Sequence, residues 1–203
     1  MTEQSNVPPQ APPPTPPEAP VAPKPPWEEK PVNPVPKDAR EHALVRELAA
    51  ILPDAVLAAV EFAGQVTVTV PRERIAEACR AAKEKLGYAF LVDLTAVDWQ
   101  ARPEGRFDVV YWMHRFADSA RLRLKVMAAE GVEVPSVTGV WKTANWMERE
   151  VFDMFGIEFA GHPNMCRILM PDEWQGYPLR KDYPILQQDQ AWVKANLGID
   201  SAQ

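Results

Sequence analysis

Charged side chains that could perform catalysis or bind a metal concentrate in the stretch NWMEREVFDMFGIEFAGHP, residues 145–163. The carboxylates Glu148, Glu150 and Asp153 lie close together in its first half, and His162 follows nine residues after Asp153. Paired carboxylates can act as general acid and base, and a carboxylate with a histidine can coordinate a metal ion. Either chemistry requires these side chains to meet at one point.

Helical spacing works against such a site. Each residue turns a helix by about 100°, so Glu148 and Glu150 point about 200° apart and cannot converge. Glu150 and Asp153 share a face, but no nucleophile lies nearby in the sequence, and neither an HxxE nor an HExxH spacing occurs. A freestanding enzyme built on Glu150, Asp153 and His162 would need the histidine to fold back onto the helix, so this hypothesis is disfavoured.

An interface explains the helix better. Glu148 falls within an apolar arc, where a buried carboxylate without a partner would cost several kcal/mol. We therefore expect an arginine to meet it, and both Arg167 and Arg180 follow in the chain. On the opposite, polar face, Arg149 and Asp153 are four residues apart and can pair at the surface. That face could lie against another protein, although an ordinary surface helix with ion pairs would have the same composition.

The whole chain excludes several other classes of function. It has 203 residues and a formal net charge of −6, which does not favour a nucleic-acid partner. Its most apolar region, 49–64, is interrupted by Pro53, Asp54 and Glu61, well short of the roughly 20 apolar residues of a membrane-spanning helix. Two cysteines cannot ligate an iron–sulfur cluster, which normally takes about four, and no GxGxxG or P-loop motif occurs. We expect no cofactor site in this chain.

The chain is predicted to divide into three parts. Residues 1–37 are expected to form a disordered tail, because most of the prolines lie there and few large apolar side chains accompany them. Residues 38–156 form the folded domain, whose last helix runs from about Thr138 through Phe155. Residues 157–203 form an extended arm rather than a second domain, with prolines at short intervals and little periodicity.

The periodicity of residues 38–156 predicts a two-layer α+β domain in the order helix, two strands, helix, three strands, then the last helix. The first helix covers 38–52 with Asp38 as its N-cap, and Gly64-Gln65 is predicted as the hairpin turn between the first two strands. The second helix covers 71–87, with the Cys79 thiol on its inner face. Three strands follow, over 88–99, 106–116 and 120–128. The second sheet face must then be solvated or covered by a partner.

Residues 148–184, EREVFDMFGIEFAGHPNMCRILMPDEWQGYPLRKDYP, closely resemble the signature of the C-subunit family of NADH-quinone oxidoreductase, the 30-kDa subunits of respiratory complex I. The acidic helix, the GHP, the RIL and the PLRKDYP blocks occur in the family's order and spacing, and 40–145 fit more weakly. Cys166 departs from the pattern, because members often carry a second arginine there. Residues with structural and partner-contact roles are carried over from the matched motif: Glu148, Arg149, Glu150, Asp153, His162, Arg167, Arg180, Lys181, Asp182 and Tyr183.

The resemblance implies a peripheral-arm subunit of a proton-translocating NADH:quinone oxidoreductase, bound on the cytoplasmic side of a bacterial inner membrane. In that family this polypeptide itself carries no catalytic residues and no cofactor, and FMN, the Fe–S clusters and quinone lie in partner subunits. Its C-terminal segment wraps the subunit that holds the quinone site, near the Fe–S subunits. An equivalent subunit of a membrane-bound hydrogenase or related dehydrogenase complex is the alternative. The arm past Gly156 is expected to have no stable fold alone.

Overall fold

The computed structural model describes residues 35–183 and 190–198, so the predicted tail at 1–37 lies outside the described residues except for its last three. The α+β class is confirmed. The strands are β1 (Lys37–Asp38), β2 (Ala58–Phe62), β3 (Gln65–Thr69), β4 (Phe90–Asp98), β5 (Phe107–Arg115), β6 (Ala120–Ala128), β7 (Val134–Pro135) and β8 (Phe159–Ala160). The α-helices are α1 (Ala43–Ile51), α2 (Ile75–Glu84), α3 (Ala144–Phe155) and α4 (Gln190–Leu197), and a 3₁₀ turn (Arg72–Arg74) precedes α2.

Six strands form one sheet in the order β1-β2-β3-β6-β5-β4. Neighbouring strands run antiparallel except β3 and β6, which pair in parallel. Strand alternation puts one set of side chains against the helices, and the predicted inward residues of β6, Leu122, Leu124 and Val126, are fully buried. On α2, the Cys79 thiol is buried as predicted, and burial raises its pKa well above the ordinary value. This is the environment of a packed thiol rather than a reactive one.

Two details near the start of the domain differ from the predictions. Asp38 is not a helix cap, because it lies in β1, and α1 instead begins at Ala43 after His42. The His42 Nδ1 atom accepts a hydrogen bond from the Leu44 N–H at 3.3 Å, so an imidazole takes the capping role usually given to Asp or Ser. The hairpin turn is Ala63-Gly64, one residue earlier than predicted, since β2 ends at Phe62. Both turn residues have positive φ, as a type I′ turn requires.

Helix α3 begins at Ala144, about two turns later than the predicted start at Thr138, and ends at Phe155 as predicted. Gly156 follows in the left-handed conformation with φ of 71°, and its N–H donates to the Phe152 carbonyl at 2.8 Å. A small parallel sheet of β7 and β8 then brings the chain beyond α3 back against the segment that precedes it. Sequence periodicity did not indicate this sheet, because each of its strands has only two residues.

Candidate partner interface

The arm is held to α3 by one buried carboxylate. Asp153 is fully buried, and its Oδ1 atom lies 2.5 Å from Arg167 Nη1. Its Oδ2 atom accepts the backbone N–H groups of Ile168, Leu169 and Met170 at 2.8–3.0 Å. Burial alone would raise the pKa of Asp153, but these three N–H groups and Arg167 together hold it below the ordinary value. The predicted surface pair of Asp153 with Arg149 is therefore wrong.

Arg149 contacts the arm through backbone carbonyls instead. Its Nε atom donates to the Cys166 carbonyl at 3.0 Å, and its Nη2 atom donates to the Arg167 carbonyl at 2.9 Å. The guanidinium also lies over the ring of Trp146, 5.0 Å from its centroid, and that tryptophan is 61% exposed. Helix α3 therefore binds the backbone of the arm through two side chains. The Asp153 carboxylate accepts from its N–H groups, and the Arg149 guanidinium donates to its C=O groups.

Glu148 is fully buried, as predicted, but no arginine of residues 35–183 or 190–198 meets it. Its Oε1 atom accepts the Val137 N–H and its Oε2 atom accepts the Ser136 hydroxyl, both at 2.7 Å. Arg167 pairs with Asp153 instead, and Arg180 with Glu130, so both predicted alternatives are wrong. Burial outweighs these two hydrogen bonds and raises the pKa of Glu148 to about 7, since the described part of the chain supplies no cation to this carboxyl. The carboxyl joins α3 to the loop that precedes it, not to the arm.

A second polar cluster holds the end of the described arm, and Arg106 is its centre. The Arg106 guanidinium contacts Asp98 at 2.9–3.0 Å, Glu130 at 2.9 Å and Asp182 at 2.6 Å. The Lys181 N–H donates to Asp98 Oδ2 at 2.9 Å. The Arg106 side-chain hydrogen bonds hold the pKa values of Asp98 and Asp182 below their ordinary values. The sheet and the arm thus share one ion-pair network.

Arg180 links this network to the C-terminus of α3. Its Nη1 atom pairs with Glu130 at 2.6 Å, and its Nε atom donates to the Phe155 carbonyl at 2.5 Å. Its guanidinium lies 4.6 Å from the centroid of the Tyr177 ring. Because this arrangement is so close, a Cβ atom at Gly156 would lie 2.5 Å from Tyr177. Gly156 is therefore required by both its positive φ and its contact with the arm.

The other predicted site residues do not form a catalytic group. His162 donates from Nε2 to the Asn145 carbonyl at 3.1 Å and accepts the Asn164 N–H on Nδ1 at 3.0 Å. Glu150 is exposed on α3. Tyr183 packs beside Gly176, where a Cβ atom would lie 2.7 Å from its ring. Within residues 35–183 and 190–198, no three His, Cys, Asp or Glu side chains are grouped as a metal site would require.

Sequence reasoning missed several residues that fix the arm or helix α3. Asp98 and Arg106 stand on the two sides of the β4–β5 turn, and Asp98 pairs in register with Phe107. A hairpin register drawn on the sequence places opposite charges at such positions close together, so this pair had a detectable signal. Ser136 and Glu130 had none, since both lie in loops that only the tertiary fold brings to the site.

The fold and these contacts define an α+β domain that carries a C-terminal arm fixed across its third helix by buried polar groups. The profile of the family described as "Respiratory-chain NADH dehydrogenase, 30 Kd subunit" matches residues 68–189 of this chain. The chain belongs to this family, and the resemblance inferred from its sequence is confirmed.

Individual relatives agree. The C subunit of the NADH-quinone oxidoreductase of Geobacter sulfurreducens is 46% identical over 138 residues, 68% of this chain and 85% of that protein. The protein of the same name from Roseiflexus sp. (strain RS-1) is 47% identical over 159 residues, 76% and 91% of the two chains. A chain in the structure of the membrane-bound sulfane sulfur reductase, an archaeal respiratory membrane complex, superposes with a TM-score of 0.64 at 25% identity. That similarity covers 81% of this chain and 95% of the other.

None of the helices in the described part of the chain combines the length and apolar character that crossing a membrane requires. The longest of them, α3, has 12 residues and includes four charged side chains. A spanning helix needs roughly 20 predominantly apolar residues.

Proposed function

We propose that this chain is a peripheral-arm subunit of a proton-translocating NADH:quinone oxidoreductase. It acts by assembly: electrons pass from NADH through FMN and Fe–S clusters in other subunits to quinone, and this chain binds none of these groups. Its location is the cytoplasmic side of a bacterial inner membrane, where other subunits attach it. Support comes from the family, and from relatives at 46–47% identity that are named as the C subunit of NADH-quinone oxidoreductase.

The observation that carries this proposal is the way in which the arm is attached. Asp153 and Arg149 bind the backbone of the arm, so the arm is positioned without burying all of its side chains. Leu169 and Leu179 of the arm and Trp146 of α3 remain 55–61% exposed. Exposed large apolar side chains held on an ordered segment are typical of a protein interface. We call these three residues the arm surface.

The partner proposed for the arm surface is the quinone-site subunit, with Fe–S subunits nearby. A tagged full-length chain, purified from solubilised membranes, is expected to bring down subunits that carry FMN and Fe–S clusters. Leu169→Glu with Leu179→Glu should lower the amount of co-purified quinone-site subunit at least about tenfold, because charges replace the buried apolar contact. The matched control is Leu57→Glu, the same change at a half-exposed leucine that precedes β2 and lies outside the arm surface. Equal recovery from both variants would contradict this role of the arm.

A related assembly is the second candidate. The observation that favours this candidate is the similarity to a chain of an archaeal membrane-bound sulfane sulfur reductase, with 25% identity and a TM-score of 0.64. In this case the chain would serve a membrane-bound hydrogenase or another dehydrogenase complex. The same purification separates the two, since a flavin-bearing NADH module supports the first and a nickel site the second. Turnover or stoichiometric metal on the isolated chain would instead support a freestanding enzyme.

A further inference from the structure

The sheet face turned away from the helices carries an apolar groove at one end. Phe90 and Val92 of the edge strand β4 are 46% and 43% exposed, and Phe116, just after β5, is 67% exposed. The pairing register of β4 shifts between Leu91 and Asp93, so Val92 is an extra residue. Such a bulge re-aims a side chain, and here both Val92 and Asp93 are exposed. We call this the outer groove, about 430 Å³ in volume, lined by Phe90, Val92, Asp93, Trp112, His114, Phe116 and Arg121.

The aromatic side chains of the outer groove support one another. The Phe116 ring lies 5.9 Å from the Phe90 ring and 4.9 Å from the His114 ring, centroid to centroid. The His114 contact is edge-to-face at 85° and the Phe90 contact is tilted at 42°, and such contacts hold rings in place without burying them. The groove is therefore preorganised. Its own side chains would lose little conformational entropy when a partner fills it.

The arginines beside the groove lack carboxylate partners in the described part of the chain. Strand register places Arg121 opposite His114 and Arg123 opposite Trp112, and the Arg123 guanidinium lies 4.5 Å from the Trp112 ring centroid. No carboxylate of residues 35–183 or 190–198 forms an ion pair with either arginine. The Arg123 Nε atom is buried and has no hydrogen-bond partner among these residues. The carboxylate in the lining, on Asp93, accepts the Leu94 N–H at 2.9 Å.

At the other end of the same sheet face, the buried carboxylate is paired with basic side chains. There Asp108 is buried and pairs with Arg102 at 2.7 Å and with Lys125 at 3.3 Å. The Trp99 Nε1–H donates to the same carboxylate at 2.9 Å. On this face, therefore, Arg121 and Arg123 lie beside the exposed rings of the outer groove with no carboxylate partner among the described residues. This local positive charge stands out in a chain whose formal net charge is −6. Charge complementarity favours an acidic occupant.

We infer that the outer groove binds an acidic segment of another subunit, which places an apolar side chain between Phe90 and Phe116 and carboxylates against Arg121 and Arg123. A second copy of this chain fits poorly, since a symmetric contact would bring the same arginines together. The inference rests on the proposed function, because it requires an assembly of several subunits. It adds a second contact face on the opposite side of the sheet from the helices.

Photo-cross-linking in the assembled complex tests this surface. The tagged full-length chain carries p-benzoylphenylalanine in place of Phe116, and the complex is purified before irradiation. We expect a cross-link to a co-purified subunit, within a peptide that contains Asp or Glu. Arg121→Glu combined with Arg123→Glu should reduce its yield about tenfold, because like charges then face each other. Arg80→Glu, an exposed arginine of α2 in the helical layer, should leave the yield unchanged.

The photoreactive residue in place of the half-exposed Leu57, which precedes β2, is the positional control and should not give the same product. A cross-link to a second copy of this chain, to lipid, or to a peptide without acidic residues would overturn the inference. So would equal yields from the two arginine variants, or no cross-link in a complex that is otherwise complete. Failure of any subunit to co-purify would overturn the proposed function as well, which distinguishes the two.

Discussion

The isolated carboxyl of Glu148 makes the stability of this domain depend on pH near neutrality. It is fully buried with no cation beside it among the described residues, and burial raises its pKa to about 7 from an ordinary value of 4.5. Between these values the folded chain binds a proton that the unfolded chain releases. The stabilisation is therefore complete below about pH 4.5 and is lost as pH rises through about 7. At about 1.4 kcal/mol per unit of pKa difference, the loss amounts to about 3 kcal/mol.

Two titratable groups face Glu148 from other elements. Cys79 of α2 and Tyr111 of β5 are both fully buried, and burial raises the pKa of each thiol or phenol well above its ordinary value. Both groups stay neutral across the range from pH 5 to pH 8, so neither cancels the titration of Glu148. The negative charge of ionised Glu148 further raises both of these pKa values.

Glu148→Gln isolates this effect. The amide oxygen can still accept the Val137 N–H, and the Ser136 hydroxyl can turn to accept from the amide NH₂. The variant should gain stability over the natural chain as pH rises, by about 3 kcal/mol between pH 5 and pH 8. Urea unfolding at one-unit steps of pH measures the difference in the free energy of unfolding between the two proteins.

Glu150→Gln is the matched control, because Glu150 is exposed on the same helix. Its difference from the natural chain should stay flat across the same range. The reasoning about Glu148 would be refuted by an equally flat difference for Glu148→Gln, or by one that falls with rising pH. Glu148→Ala should destabilise at every pH, since it leaves the Val137 N–H buried without an acceptor and opens a cavity.

The arm contacts give three further predictions. Asp153→Asn should destabilise the isolated chain by about 3 kcal/mol, because it leaves a guanidinium in a buried site, and it should speed amide hydrogen exchange at residues 168–170. Gly156→Ala should lower the free energy of unfolding by at least about 2 kcal/mol, from backbone strain plus the clash with the arm, as thermal unfolding can measure. Arg106→Lys should make the peptide bonds around residues 180–181 more sensitive to trypsin, since an ammonium cannot bridge three carboxylates in one plane.

Each of these predictions has a control or a contrary result. Gly131→Ala has the same positive φ as Gly156→Ala and open space around the new methyl group, so it measures backbone strain alone. Equal losses for the two glycine variants would show that the clash does not exist. An unchanged rate of amide exchange at residues 168–170 in Asp153→Asn would show that this carboxylate does not hold the arm. Cleavage at the natural rate in Arg106→Lys would do the same for the ion-pair network.

The fold was largely predictable because its long elements are strongly periodic. Strand β6 alternates apolar and basic residues, and α2 presents one apolar stripe, so the local pattern and the final burial agree. The errors lie at element ends. The predicted start of α3 is too early because residues 137–143 form turns instead of helix. These turns begin at Val137, whose N–H donates to Glu148, and sequence periodicity does not indicate such a contact.

The partner of each charged residue was not predictable from helical spacing. Arg149 and Asp153 are neighbours on α3 and look like a surface pair, yet the arm covers both and takes their hydrogen bonds. The expectation that Glu148 meets an arginine assumed that a buried carboxylate must stay charged. Glu148 needs no cation because burial raises its pKa and favours the neutral carboxyl, and no sequence pattern indicates such a shift.

The use of backbone groups also explains why the departure at Cys166 does not disturb the arm. Arg149 contacts the carbonyl of Cys166, and Asp153 contacts the N–H groups of residues 168–170, so neither contact depends on the side chains at those positions. A side chain can then change without moving the arm, provided that the backbone path is kept. What constrains this path are the acceptor and donor groups on α3 and the absence of a side chain at Gly156. The exposed side chains of the arm, such as Leu169 and Leu179, then remain available for a partner, and a mutation among them should alter assembly before it alters the stability of this domain.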